Sequence, residues 1–232
     1  QVTVATSVGI KRTIRSQTFR GYFKPKERNV REAEEVEIIE ILQACTNTRD
    51  QLLLLMIAET GFRIGEILGV DYTRDIDYQR KTVRVYFRDD NENEARAKNA
   101  EHRRARISDE TFEFLLSYLN EYRELLQRGT FLFINIEGDR AGKPMMVGSV
   151  YDMLKRMEKK TGHKITPHML RRYFARSRRQ ENWNLEMISM ALGHKHLDTT
   201  IKYLGNLDDK LLEASKEFYE KHSELYGIDR LL

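Results

Sequence analysis

The sequence predicts a mainly α-helical fold carrying one small antiparallel β-sheet. Three observations carry this expectation. Apolar residues recur at helical spacing through most of the chain. Only Thr82–Phe87 alternates, with Val83, Val85 and Phe87 on one side, and Arg104–Ser108 can return beside it across a polar loop. No segment repeats, and none is of low complexity.

Residues 1–23 are basic, mix Thr, Ser and Val, and have no helical period, so they read as a linker or domain edge. Gly21 and Pro25 mark the transition. From about Arg31, the positions Val36, Ile38, Ile39, Ile41 and Leu42 suit a first helix. Asn47 or Thr48 caps a second, with Leu52–Met56 buried, and Gly61 ends it. A short helix covers Ile64–Leu68. Asp89–Ala100 is the loop between the two strands. A long helix follows over Asp109–Gln127, with Phe112, Leu115, Leu116 and Leu119 on one face, and Phe131–Ile134 suits a short strand. Helices are expected over 147–160, 167–180, 184–191, 197–204 and 208–222, with Pro167 in the first turn of its helix behind Thr166 as cap. In 207–232, an apolar stripe of Leu207, Leu211, Ala214, Phe218 and Leu225 has acids on the other face. Such a tail docks on a neighbouring protomer or on its own domain.

The chain has 232 residues, 40% of them apolar and a third charged, enough for one good-sized core. No apolar run approaches membrane-spanning length, and no signal-peptide core opens the chain. The single cysteine, Cys45, excludes an internal disulfide and a Cys-rich zinc site, and reads as a small buried group. A cytoplasmic, DNA-associated location is expected. Net charge is only +4, but its distribution is uneven. Residues 1–26 hold six basic residues and no acid. Residues 140–206 hold fourteen basic against five acidic residues, whereas 207–232 hold four against seven. A basic surface with an acidic tail suggests a polyanionic partner.

Several chemistries are excluded. There is no phosphate-binding P-loop and no GxGxxG, so no nucleotide cofactor is expected. Asp89, Asn91 and Asn93 imitate an EF-hand, but Glu94 stands where Gly is needed and Ala100 where Glu is needed. His163, His168, His194 and His196 lack a closed zinc spacing, and the serine-hydrolase elbow is absent.

Four segments remain: Thr60-Gly61-Phe62-Arg63-Ile64-Gly65-Glu66, His168-Met169-Leu170-Arg171, Leu192-Gly193-His194 and Thr199-Thr200-Ile201-Lys202-Tyr203. Their residue types suit phosphodiester chemistry. Two guanidiniums can clamp the non-bridging oxygens bidentately. Arg63 stands at a helix start, where backbone N–H groups also favour an anion. His168 and Arg171, at i and i+3, face one site, while Arg172 points about 100° away. A histidine titrates near neutrality and suits proton transfer. A free phenol has a pKa of about 10 and needs such help to attack.

The ordered set resembles the tyrosine recombinase (phage integrase) family, of the mobile-element integrase or transposase kind, over about 24–206. From His168 to Arg171 is three residues, on to His194 twenty-three, and on to Tyr203 nine. The resemblance implies that family's catalytic-domain fold. It implies a site-specific DNA strand transferase that needs no metal or cofactor and serves integration, excision or transposition. Tyr203 would attack the phosphodiester and form a 3′-phosphotyrosine link. Arg63 and Arg171 would hold the phosphate, His168 would take the phenol proton, and His194 would hydrogen-bond the phosphate. The family's leaving-group lysine lies on the loop between two strands, where Lys98 is the candidate, with Lys81, Arg103, Arg104 and Arg106 competing. Glu66 matches an acidic residue of orienting or structural role. Arg172, Arg176, Arg178, Lys195 and Lys202 are candidate DNA contacts. The expected partners are double-stranded DNA and further copies of the chain, four on two duplexes. Residues 1–23 would be a remnant of an N-terminal core-binding domain, 24–206 the catalytic domain and 207–232 the tail. The alternatives are a type IB topoisomerase-like enzyme that religates the same strand and a non-catalytic DNA-binding module of the same fold.

Overall fold

The computed structural model describes residues 2–5, 11–14, 31–86, 93, 102–193 and 207–222. The chain divides into two units, 1–31 and 32–232. In the first, strands β1 (Val2–Ala5) and β2 (Lys11–Ile14) pair antiparallel, Val2 opposite Ile14 and Ala5 opposite Lys11. Sequence alone predicts no element here, because the short Val- and Thr-containing runs are too brief to show a period.

The second unit is helical around one central helix. α1 spans Glu35–Ala44 and α2 spans Thr48–Thr60. Leu52 through Ala58 are all buried, so α2 is enclosed on every side rather than amphipathic. Asn47 caps it, its side chain accepting from the Asp50 N–H at 2.9 Å. Gly61 closes it in the left-handed region, φ +64°. A one-turn helix, α3 (Ile64–Ile67), follows directly.

The sheet has three strands in antiparallel sequence: β3 (Ile76–Asp77), β4 (Thr82–Val85) and β5 (Arg103–Arg106). Val83 lies opposite Ala105 and Val85 opposite Arg103, with all four side chains buried. β3 is absent from the sequence expectation, since two residues carry no alternation. Phe131 and Ile134, expected in a strand, form isolated bridges to Asp71 and Pro144 instead.

α4 (Asp109–Glu121) starts behind Ser108, whose hydroxyl accepts from the Thr111 N–H at 3.0 Å. The long helix expected here breaks at Tyr122 (φ −103°, ψ 23°) and resumes as α5 (Arg123–Leu126). The Tyr122 N–H still reaches Tyr118 O and Leu126 is buried, so the apolar pattern runs across the break. α6 (Val147–Thr161), α7 (Pro167–Gln180), α8 (Leu185–Leu192) and α9 (Leu207–Lys221) complete the unit. α7 is set by Thr166 as cap and Pro167 in its first turn.

Phe174, Trp183, Ile188, Ala191, Leu192 and Leu211 form one core cluster, so α9 lies against its own unit. Cys45 is buried, and burial pushes its thiol up to about 12. No helix among the described residues is long and apolar enough to cross a membrane. The architecture is the expected one, mainly α with a small antiparallel sheet.

Candidate active site

Three of the four motif segments meet at the C-terminal end of α8. A helix leaves its last carbonyls without intrahelical partners. Here three consecutive ones each receive an arginine from a different part of the chain. Arg103 Nε donates to Ala191 O at 3.1 Å, Arg171 Nη2 to Leu192 O at 2.5 Å and Arg63 Nη2 to Gly193 O at 3.3 Å. Arg171 Nη1 also donates to Gly61 O at 2.6 Å, tying the Arg63 turn to the same place.

Arg63 is the accessible member, with 41% of its side chain exposed. Its Nη1 lies 3.0 Å from Glu66 Oε1, and its backbone N–H donates to Glu66 Oε2 at 2.7 Å. That N–H, expected from sequence to be open to an anion, is therefore taken by Glu66. Arg171 is 6% exposed. Burial first, then the nearby charge of Arg63, pulls its pKa down to about 9, with Glu66 opposing and Arg103 adding to the fall.

His168 is exposed in the first turn of α7. Its Nε2 accepts from Arg172 Nε at 3.3 Å, the neighbour that i,i+4 spacing brings to the same face of α7. Partial burial, then the charges of Arg172 and Arg171, holds His168 below its ordinary pKa. It is accordingly neutral near pH 7 and able to accept a proton.

The glycines of these segments are required by geometry. A Cβ on Gly61 would lie 2.6 Å from the Phe174 ring. A Cβ on Gly193, at φ +62°, would collide with Arg103 Nη1.

Two expected DNA contacts are corrected. Arg178 is 2% exposed and surrounded by aromatic rings, so it cannot reach a duplex. Arg176 pairs with Glu32 at 3.0 Å and Glu34 at 2.7 Å, which neutralise it. Both look like surface charge in the sequence because their partners are distant along it. Arg172 is exposed. Lys98, His194, Lys195, Lys202 and Tyr203 lie outside the described residues. Arg103, which the sequence presents only as a rival to Lys98, is 5% exposed and paired with Glu66. Its signal is weak: an inward-facing register opposite Val85 on an otherwise basic strand.

The pattern that defines the phage integrase family matches residues 28–210. The chain belongs to that family. Among phage integrase relatives, transposase A from transposon Tn554 of Staphylococcus aureus is 32% identical over 200 residues, 86% of this chain and 55% of that protein. Tyrosine recombinase XerA of Saccharolobus solfataricus is 29% identical over 198 residues, 82% of this chain and 59% of its own. The chain thus spans little more than half the length of these curated relatives. The crystal structure of XerA recombinase superposes with a TM-score of 0.60 at 26% identity, covering 82% of this chain and 64% of that one.

Proposed function

We propose that the chain cleaves and rejoins duplex DNA through a covalent tyrosine intermediate. The observation that carries this reading is the convergence of Arg63 and Arg171 on the adjacent Gly193 and Leu192 carbonyls, immediately before His194. Two guanidiniums held at one point, one accessible and one buried, suit a phosphodiester and the extra charge of its transition state. The Tyr203 oxygen attacks phosphorus, and its proton passes to His168. The bond to the 5′ oxygen breaks, and Lys98 supplies the proton that oxygen needs. A 3′-phosphotyrosine remains, with His194 hydrogen-bonded to the phosphate. A 5′ hydroxyl from a partner duplex then reverses these steps, so the bond's energy is retained and no metal or cofactor is required.

The relatives' names, a transposase and a tyrosine recombinase, support integration, excision or transposition of a mobile element over simple religation. Duplex DNA and further copies of the chain, four on two duplexes, are the proposed partners. Arg172, Lys195 and Lys202 are proposed backbone contacts.

A pool of nicked duplexes of randomised sequence lets the chain select its own target. In each duplex, cleavage releases a short strand and traps the intermediate. Adducts surviving denaturation are captured and sequenced. We expect adducts with one preferred sequence, and none from Tyr203→Phe. No adduct from the parent chain overturns the function; adducts from Tyr203→Phe overturn the nucleophile.

A further inference from the structure

Arg103 takes no part in the chemistry just described, yet it is built into the site more deeply than Arg63. It leaves β5 on the core-facing side of the sheet. It forms an ion pair with Glu66 Oε2, on the carboxylate that also holds Arg63. Its Nε donates to Ala191 O at 3.1 Å, its guanidinium lies 5.0 Å from the centre of the Phe62 ring, and its Nη1 occupies the space that a side chain on Gly193 would need.

We propose that Arg103 is the positioning residue of this site, holding the Arg63 turn and the Ala191–Gly193 end of α8 at one fixed separation. The inference rests on the strand-transfer reading. The physical reason is the fork of the guanidinium, which satisfies a carboxylate and a helix-end carbonyl at once while its plane lies on an aromatic face. Without it, Glu66 Oε2 keeps, among the described residues, the Arg63 N–H. The carboxylate is then free to turn, and it takes the Arg63 guanidinium with it. Ala191 O at the same time loses this donor at the negative end of α8. A role as proton donor to the leaving oxygen does not fit, because a guanidinium paired with a buried carboxylate does not give up a proton near neutrality.

The test uses the full 232-residue chain and the nicked duplex recovered from the randomised pool, with Arg103→Met and Arg103→Lys. At saturating DNA, Arg103→Met should form the adduct about tenfold to a hundredfold more slowly, the scale of a small displacement of reacting groups. Its DNA Kd should stay within about threefold of the parent's, since Arg103 is out of reach of a duplex. Arg103→Lys keeps the charge but not the fork, so its rate should fall between the two. The defect should persist on a duplex whose bridging 5′ oxygen is replaced by sulfur, a leaving group that needs no proton. Should Arg103→Met fail to show the parent's cooperative melting, the Lys variant decides. An adduct formed by either variant at the parent's rate overturns the inference. So does a loss confined to Kd, or full recovery on the sulfur substrate. No adduct from the parent overturns the strand-transfer reading itself, and the inference falls with it.

Discussion

The guanidinium of Arg178 lies 3.5 Å from the centre of the Phe218 ring, joining α7 to α9 across a cage of aromatic residues. Phe174, Trp183 and Tyr219 complete the cage at 4.8, 5.6 and 5.3 Å. Nη2 donates to Tyr219 Oη at 3.1 Å and to Glu59 O at 3.3 Å, and the Tyr219 hydroxyl donates to the same carbonyl at 3.2 Å. The C-terminal helix is thereby pinned to the last turn of α2, two residues before Gly61. Replacing Arg178 with Met should cost about 3 kcal/mol, from lost cation–π contact and an undersatisfied carbonyl. Tyr219→Phe should cost about 1 kcal/mol. Urea unfolding measures both, and amide exchange across 211–221 should quicken in Arg178→Met while α2 stays protected.

Glu59 is buried at the same junction. It accepts from the Ser108 N–H at 2.9 Å and from the Ser108 and Thr111 hydroxyls at 2.8 Å each. Burial raises its pKa, while these hydrogen bonds and the Arg178 charge oppose the rise. A carboxyl raised in the folded state contributes stability that is full below its unfolded pKa of about 4.3 and is lost as pH rises through the folded value. Glu59→Gln removes that loss. The stability gap between parent and Gln variant should therefore narrow from pH 4.5 to pH 8, read as urea midpoints. A gap that widens would contradict the assignment. Glu59→Ala should cost about 2–4 kcal/mol, by leaving three donors unmatched.

On the proposed mechanism, His168 should set a pH dependence of activity. Its folded pKa lies below the ordinary value of about 6.5, and the neutral form is the one proposed to accept the phenol proton. The cleavage rate at subsaturating DNA should rise with pH through a midpoint below about 6.5 and then level off. Arg172→Gln removes one of the two nearby charges that hold the pKa down, so the midpoint should move upward toward that value. Stability follows the same sign: this group contributes none above its unfolded pKa and destabilises the fold as pH falls below it.

Two glycines should respond in opposite directions to alanine. Gly61→Ala meets a left-handed φ and a 2.6 Å approach to Phe174, and should cost about 2–4 kcal/mol. Gly148 in α6 has nothing within 4 Å of its would-be Cβ, so Gly148→Ala should be neutral or stabilise by up to about 1 kcal/mol. Thermal melting separates them.

What can be read from the sequence follows from range. Asn47 and Thr166 act on N–H groups three residues away, so local sequence announces them as caps, whereas Ser108, expected to end a strand, caps α4. The ordered motif marks Arg63, His168 and Arg171 because each carries a chemically unusual neighbour in sequence. A charge count misplaces Arg178 and Arg176 because it treats every arginine as solvated. Their partners, Glu59 with Tyr219 and Glu32 with Glu34, are brought by folding. Arg103 is obscured the same way, since Glu66 and Ala191 are 37 and 88 positions distant.

The meeting of three arginines at the end of α8 has one more consequence. Among the described residues, the buried carboxylate of Glu66 pairs with both Arg63 and Arg103, and its charge also acts on Arg171, so three guanidiniums lie close together here. On the proposed function a phosphate binds to these guanidiniums in the folded chain alone, so binding and folding become linked quantities. The chain should melt at a higher temperature in sulfate or phosphate than in chloride of equal ionic strength, and Arg63→Gln should reduce that difference. On the proposed function, the backbone of the DNA becomes a counterion for cations that the fold has already drawn together.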